Sequence, residues 1–109
     1  MGEFESREKA FEAKFAHDQE LLFKAKARRD ALMARWVVGE LRLSGAEAEA
    51  YVQSLVPLAV QKNPEQALVT KLLADFAAAN RPTTEHRLRR QLAEFLEQAT
   101  RQVSSEVKG

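Results

Sequence analysis

The fold of this chain is decided by a long amphipathic stretch at residues 84–104, TEHRLRRQLAEFLEQATRQVS. Its apolar residues recur at three- and four-residue spacing: Leu88, Leu92, Phe95, Leu96, Ala99 and Val103. This spacing places them on one face of an α-helix, while arginine, glutamate and glutamine cover the other faces. The stretch therefore predicts a helix over about Thr84–Ser104 that packs one face into a core.

The rest of the chain has the same helical character. Its 109 residues fit one domain, and they include no isoleucine. Alanine, leucine, glutamate, lysine and arginine dominate, and these residues lose little side-chain freedom in a helix. No segment alternates apolar and polar residues as a strand would. Three further helices are therefore predicted, over about residues 18–43, 46–61 and 64–79.

The first two breaks between these helices carry capping signals. Ser44, followed three residues later by Glu47, has the pattern of a capping box. At the next break, Asn63 is predicted as the N-cap and Pro64 as the first helical residue. Gln66 completes a second capping-box pattern. Both breaks therefore predict the start of a new helix.

The third break and an internal proline also shape the predicted helices. Asn80 is expected to end the third helix in the left-handed conformation, and Thr83 or Thr84 is expected to cap the fourth. Pro57 lies inside the second predicted helix, where proline removes a backbone hydrogen bond and clashes with the preceding turn. A kink or an early end is therefore expected at Pro57.

Together these elements predict an all-α fold. Short links favour antiparallel neighbours, so residues 18–109 are expected to form a small four-helix bundle. Residues 1–17 are predicted to form an additional, mobile N-terminal helix.

This N-terminal segment carries a phenylalanine stripe. Phe4, Phe11 and Phe15 are seven and four residues apart, which places them on one side of a helix. Spacing alone favours a helix packed on its own domain. The alternative is a docking helix whose aromatic anchors fill pockets on a partner. A membrane-surface helix is disfavoured because the polar face is net acidic.

Composition excludes several classes of function. The chain has no cysteine, so disulfides and thiolate metal sites are excluded. Its net charge of +1 argues against a dedicated nucleic-acid binder. The absence of a signal peptide and of a long apolar run predicts a cytoplasmic protein without direct membrane insertion. His17 and His86 are isolated, so a metal site is not expected. No acid–base pair lies in an apolar context that would indicate catalysis, so an enzyme is not expected either.

Two strings of this sequence resemble one known family. Residues 4–18 are FESREKAFEAKFAHD, residues 23–29 are FKAKARR, and Trp36 follows. These strings are similar to those of the zeta subunit family, the small inhibitory subunits of the alphaproteobacterial F-type ATP synthase. The chain departs from the family at Glu5 and Ser6, where many members carry two acids, and at Pro57.

The resemblance implies an inhibitor of ATP hydrolysis with no catalysis of its own. Its N-terminal helix would enter the catalytic head between alpha and beta subunits, contact the gamma subunit and block rotation. The protein would be peripheral on the membrane-bound synthase and a monomer when free. The residues assigned to this docking helix are Phe4, Arg7, Glu8, Phe11, Lys14, Phe15 and His17.

A basic run like that at residues 24–29 is usually a solvated helix face. The alternative is a secondary contact, in which Arg28 and Arg29 pair with acidic groups of the partner. No cofactor is expected. ATP or ADP is a possible regulatory ligand by family association, without a residue to place it. The alternative function is a helical adaptor or binding module of another complex, without ATPase inhibition. An enzyme ranks third, since it would require a deep polar pocket.

Overall fold

The computed structural model describes residues 19–108, with side chains described through Glu106. They form four α-helices: α1 (Gln19–Glu40), α2 (Gly45–Leu55), α3 (Pro64–Ala78) and α4 (Glu85–Lys108). A 3-10 helix, Val56–Val60, directly follows α2. Because these residues include no strand, the predicted all-α class with four helices is confirmed. Within the same residues, no helix is long and apolar enough to cross a membrane. The predicted additional helix lies outside them.

Helix α3 ends as the sequence predicts. Asn80 has a left-handed backbone, with φ of 60°. Its N–H donates to the carbonyl of Ala77 at 3.1 Å, and the N–H of Arg81 donates to the carbonyl of Phe76 at 2.9 Å. These two bonds form a Schellman motif, which satisfies carbonyls that the helix itself leaves free.

Helix α1 ends in the same motif at a residue that the sequence does not signal. Arg42 has φ of 59°, and the N–H of Leu43 donates to the carbonyl of Val38 at 3.0 Å. Arginine rarely adopts this conformation, so the sequence predicts a helix as far as Leu43. The helix instead ends at Glu40.

Helix α4 begins with a side-chain cap. The hydroxyl of Thr84 accepts a hydrogen bond from the backbone N–H of Arg87 at 3.1 Å. This is the N-cap geometry expected for Thr84. The other end extends to Lys108, four residues beyond the predicted end at Ser104. Residues 105–108 contain no glycine or proline that would break the helix.

The predicted capping boxes of α2 and α3 do not form. Ser44 and Asn63 lie at the two N-cap positions, but neither side chain makes a capping hydrogen bond. Gly45, the first residue of α2, has φ of 58°, which departs from the helical backbone that a capping box requires. The amide of Gln66 instead donates to the hydroxyl of Thr70 at 3.1 Å.

Pro57 has the expected effect on α2. The α-helix ends at Leu55, two residues before the proline, and the chain continues as the 3-10 helix. This short helix contacts both α2 and α3. The early end is expected, because proline has no backbone N–H to donate to the preceding turn of an α-helix.

The described residues fall into two compact units. The central unit is Met33–Arg90, and the terminal unit combines the described residues up to Leu32 with those from Gln91 onward. In the terminal unit, Ala25, Leu96 and Val103 form a buried cluster, and Leu21 packs against it. In the central unit, the rings of Trp36 and Phe76 lie 6.0 Å apart between centroids, at an interplanar angle of 38°.

The three- and four-residue spacing of the sequence predicts that α1 buries a stripe of Leu21, Ala25, Leu32, Trp36 and Gly39, but the helix buries a different set. Its buried positions are a series at four-residue spacing, Ala25, Arg29, Met33 and Val37, together with Ala34. Gly39 is exposed, whereas Met33 and Val37 are fully buried. The predicted stripe is therefore wrong in part, because the many alanines of α1 leave its apolar face poorly defined.

Candidate partner-binding site

The predicted docking helix and its assigned residues, Phe4 to His17, lie outside the described residues. The described chain begins at Gln19, close after that segment. The site residues that the structure does describe are Arg28 and Arg29, both on α1 in the terminal unit.

Arg28 forms a fork of contacts with the last turns of α4. One nitrogen, Nη1, donates to Gln102 Oε1 at 3.0 Å and lies 2.8 Å from Glu106 Oε2. The other, Nη2, donates to Glu106 Oε1 at 2.9 Å. A bidentate arginine–carboxylate pair of this kind fixes geometry as well as charge. The pair therefore links α1 to the C-terminal end of α4.

This contact changes the titration of both partners. The pKa of Glu106 is lowered, chiefly because its carboxylate accepts a hydrogen bond from Arg28. The same hydrogen bond raises the pKa of Arg28. Both side chains remain solvent-accessible, so the pair is worth little to overall stability.

Arg29 is in a different environment from its neighbour. Its side chain is only 9% exposed, and its Nε donates to Asp30 Oδ1 at 3.0 Å. Arg28 and Arg29 therefore do not form a single exposed basic pair. A secondary partner contact through these residues stays a prediction, and the partly exposed Arg28 is the more accessible of the two.

The sequence analysis does not select Phe23 as a site residue, although it belongs to the FKAKARR string. Its side chain is 73% exposed on the second turn of α1. The sequence signal that could have identified Phe23 is its position, because Phe23 lies off the helix face that carries Leu21 and Ala25. Since this exposed aromatic side chain follows closely after the predicted docking helix, it is a candidate contact residue.

A polar cluster in the central unit joins α2 to α3. The Tyr51 hydroxyl donates to Asp75 Oδ2 at 2.6 Å, and Lys71 Nζ lies 3.1 Å from the same oxygen. Lys71 Nζ is also 5.4 Å from the centroid of the Tyr51 ring. Burial, followed by the hydrogen bond to Asp75, raises the pKa of Tyr51. The phenol therefore stays protonated near neutral pH, where its hydrogen bond to Asp75 links α2 to α3.

We expect the Tyr51 phenol of the native protein to ionise at a pH clearly above its ordinary value of about 10. Since its folded-state pKa is raised, Tyr51 stabilises the fold fully below about pH 10, and this stabilisation is lost as pH rises through the folded pKa. Tyr51 is the chain's one tyrosine, so tyrosinate absorbance during alkaline titration reports it alone.

The Asp75→Asn variant provides the control for this titration. It keeps a similar shape but removes the carboxylate charge, so its native titration should move toward lower pH. If Tyr51 ionised at the same pH in native wild-type protein and in urea-unfolded protein, this result would contradict the structural account of Tyr51.

A second polar cluster joins α3 to α4 within the central unit. Arg89 Nη1 donates to Glu65 Oε2 at 2.7 Å, and its Nε donates to Glu85 Oε2 at 2.8 Å. Its remaining nitrogen, Nη2, donates to the side-chain oxygen of Gln66. All three donor groups of the guanidinium are thus used inside the fold, which makes Arg89 a structural residue.

Neither cluster has the ligands of a metal site. Among the described residues, no group of three or more His, Cys, Asp or Glu side chains is arranged to hold a metal ion. The same residues contain no buried side-chain nitrogen or oxygen that lacks a hydrogen-bond partner.

Comparison with known proteins identifies the family of the chain. No curated protein and no solved structure gives a significant match. The sequence profile of the family described as ATPase inhibitor subunit zeta matches residues 1–102. Since this match spans nearly the whole sequence and includes the segment before α1, the chain belongs to the ATPase inhibitor subunit zeta family.

Proposed function

We propose that this chain inhibits ATP hydrolysis by an F-type ATP synthase. Its N-terminal segment, residues 4–17, docks as a helix in the catalytic head between alpha and beta subunits and contacts the gamma subunit. The docked helix obstructs rotation in the direction of hydrolysis. The observation that carries this proposal is the family match over residues 1–102, which includes the proposed docking segment.

The physical basis of docking is the phenylalanine stripe. Phe11 and Phe15 are four residues apart and would fill neighbouring pockets as aromatic anchors, with Phe4 one further heptad toward the N-terminus. The charged residues Arg7, Glu8 and Lys14, together with His17, would make polar contacts around these anchors. Such contacts contribute more to orientation and specificity than to affinity.

The described helices support the role of a scaffold in this proposal. Residues 18–109 would form the body that remains outside the cleft while residues 1–17 enter it. The protein would act by binding, without catalysis and without a cofactor, as a peripheral component of the synthase. ATP or ADP as a regulatory ligand stays a prediction without assigned residues.

We expect Phe11→Ala and Phe15→Ala each to raise the concentration needed for half-maximal inhibition about 10- to 30-fold. This is the usual effect of removing an aromatic anchor from an interface. The measurement is ATP hydrolysis by the cognate ATPase head, titrated with the full-length variants. Lys9→Ala is the matched control, because it truncates a long side chain that helical spacing would place away from the stripe. This variant should inhibit like the wild type.

Two results would contradict the proposal in different ways. Unchanged hydrolysis with wild-type protein would remove the inhibitory function altogether. Binding of the wild-type protein to the ATPase head without inhibition would favour the alternative, a helical adaptor of that complex.

A further inference from the structure

Phe23 is the most conspicuous apolar group on the described surface. Among the described residues, the large apolar side chains that are exposed are Phe23 at 73%, Val56 at 57% and Val60 at 86%. The other described aromatic residues, Trp36, Tyr51, Phe76 and Phe95, are buried or half-buried. Aromatic side chains dominate the energetics of interfaces, so a single exposed one marks a candidate anchor.

The surface around Phe23 can approach a partner closely. Ala27 and Ala31 follow it at four-residue spacing on the same face of α1, and both are exposed. No long side chain on this line covers the helix between Phe23 and Ala31. On one flank, Glu20 and Lys24 form an ion pair of 3.4 Å, so they neutralise each other. The face thus combines one large apolar group with a flat strip of small ones.

The position of Phe23 in the chain limits which partner can cover it. It lies six residues after His17, the last residue of the proposed docking segment. Six residues span at most about 20 Å even when fully extended. Whatever binds the docking segment therefore also lies within reach of Phe23.

The basic side chains near Phe23 are largely paired within the fold. Lys24 pairs with Glu20, and Arg28 pairs with Glu106. The apolar side chain of Phe23 and its position in the chain, rather than charge, therefore indicate the partner surface.

We propose that Phe23, with the strip formed by Ala27 and Ala31, is a second contact surface for the ATPase head that binds the docking segment. Phe23 fills an apolar pocket beside the cleft that receives residues 4–17. This inference rests on the proposed function. It adds one aromatic anchor, on the folded helices, to the phenylalanine anchors of the docking segment.

The first test measures inhibition of the ATPase head by full-length variants. Phe23→Ala is expected to raise the half-maximal concentration about 10-fold, as loss of an interface anchor does, and to leave the thermal midpoint unchanged. Phe23→Trp, which keeps an aromatic anchor, should retain most of the affinity. Val60→Ala removes another exposed apolar group, in the central unit, and should behave like the wild type.

The outcomes separate this inference from the proposed function. If Phe11→Ala weakens inhibition but Phe23→Ala does not, only the second surface is overturned. If Phe23→Ala weakens inhibition but Phe11→Ala does not, the docking segment is contradicted and the second surface is supported. If the wild-type protein does not bind the head, both proposals fall. A wild-type dimer that Phe23→Ala converts to a monomer in sedimentation would assign the surface to a second copy and overturn the inference.

A direct test uses the absence of cysteine from the chain. Phe23→Cys introduces a unique thiol, whose reaction rate with a maleimide can be measured in the free protein and at saturation with the ATPase head. We expect at least about 10-fold protection on binding, because the contact excludes solvent from the site. Equal reaction rates in the free and bound states would overturn the inference.

Discussion

Replacing Leu72 with alanine is expected to lower the free energy of unfolding by about 2–4 kcal/mol. Leu72 lies on α3 in the central unit, and its side chain is fully buried. Removing three carbon atoms loses their transfer free energy and leaves a cavity that the surrounding helices fill only in part. Since a domain of this size is stable by roughly 5–10 kcal/mol, the variant should lose a large share of its stability.

Leu73→Ala is the matched control for this experiment. It makes the same change one residue further along α3, where the side chain is only half-buried. We expect a loss of about 1 kcal/mol, in proportion to the smaller buried area. Urea unfolding of both variants gives the comparison. Equal losses at the two positions would mean that Leu72 is not the core residue that the structure shows.

Local features of the fold could be predicted from the sequence because their causes are local. The apolar period of residues 84–104 predicts α4, and Thr84 caps it as expected. Asn80 ends α3 because asparagine tolerates a left-handed backbone. Pro57 ends α2 early because proline lacks a backbone N–H. Each signal acts within one or two helical turns of its own position.

The features that the sequence does not reveal depend on distant residues. Arg28 finds its partner Glu106 78 positions away, and Tyr51 finds Asp75 24 positions away. A helical period indicates which face of a helix is apolar, but it does not indicate what that face meets. Arg29 is buried although its charge predicts exposure, because its surroundings compensate for the lost solvation.

The same distinction applies to the candidate site. The phenylalanine spacing and the family strings are local signals, and they are sufficient to select the proposed docking segment. Phe23 is part of one of these strings, yet its significance depends on exposure. Exposure is a property of the whole fold, since it depends on which helix faces pack together.

Replacing Ala25 with leucine is expected to destabilise the terminal unit by about 2–3 kcal/mol, through overpacking rather than through a cavity. Ala25 is fully buried and forms a cluster with Leu96 and Val103. Packing of this kind has no space for a branched side chain, so α1 would have to shift away from α4 or adopt strained rotamers. Urea unfolding of the full-length variant measures the loss.

Ala27→Leu makes the same substitution at an exposed position of α1 and should change stability by less than about 0.5 kcal/mol. Since alanine and leucine differ little in helix propensity, the difference between the two variants isolates the packing of the cluster. An Ala25→Leu protein as stable as the wild type would show that this part of α1 does not pack closely against α4.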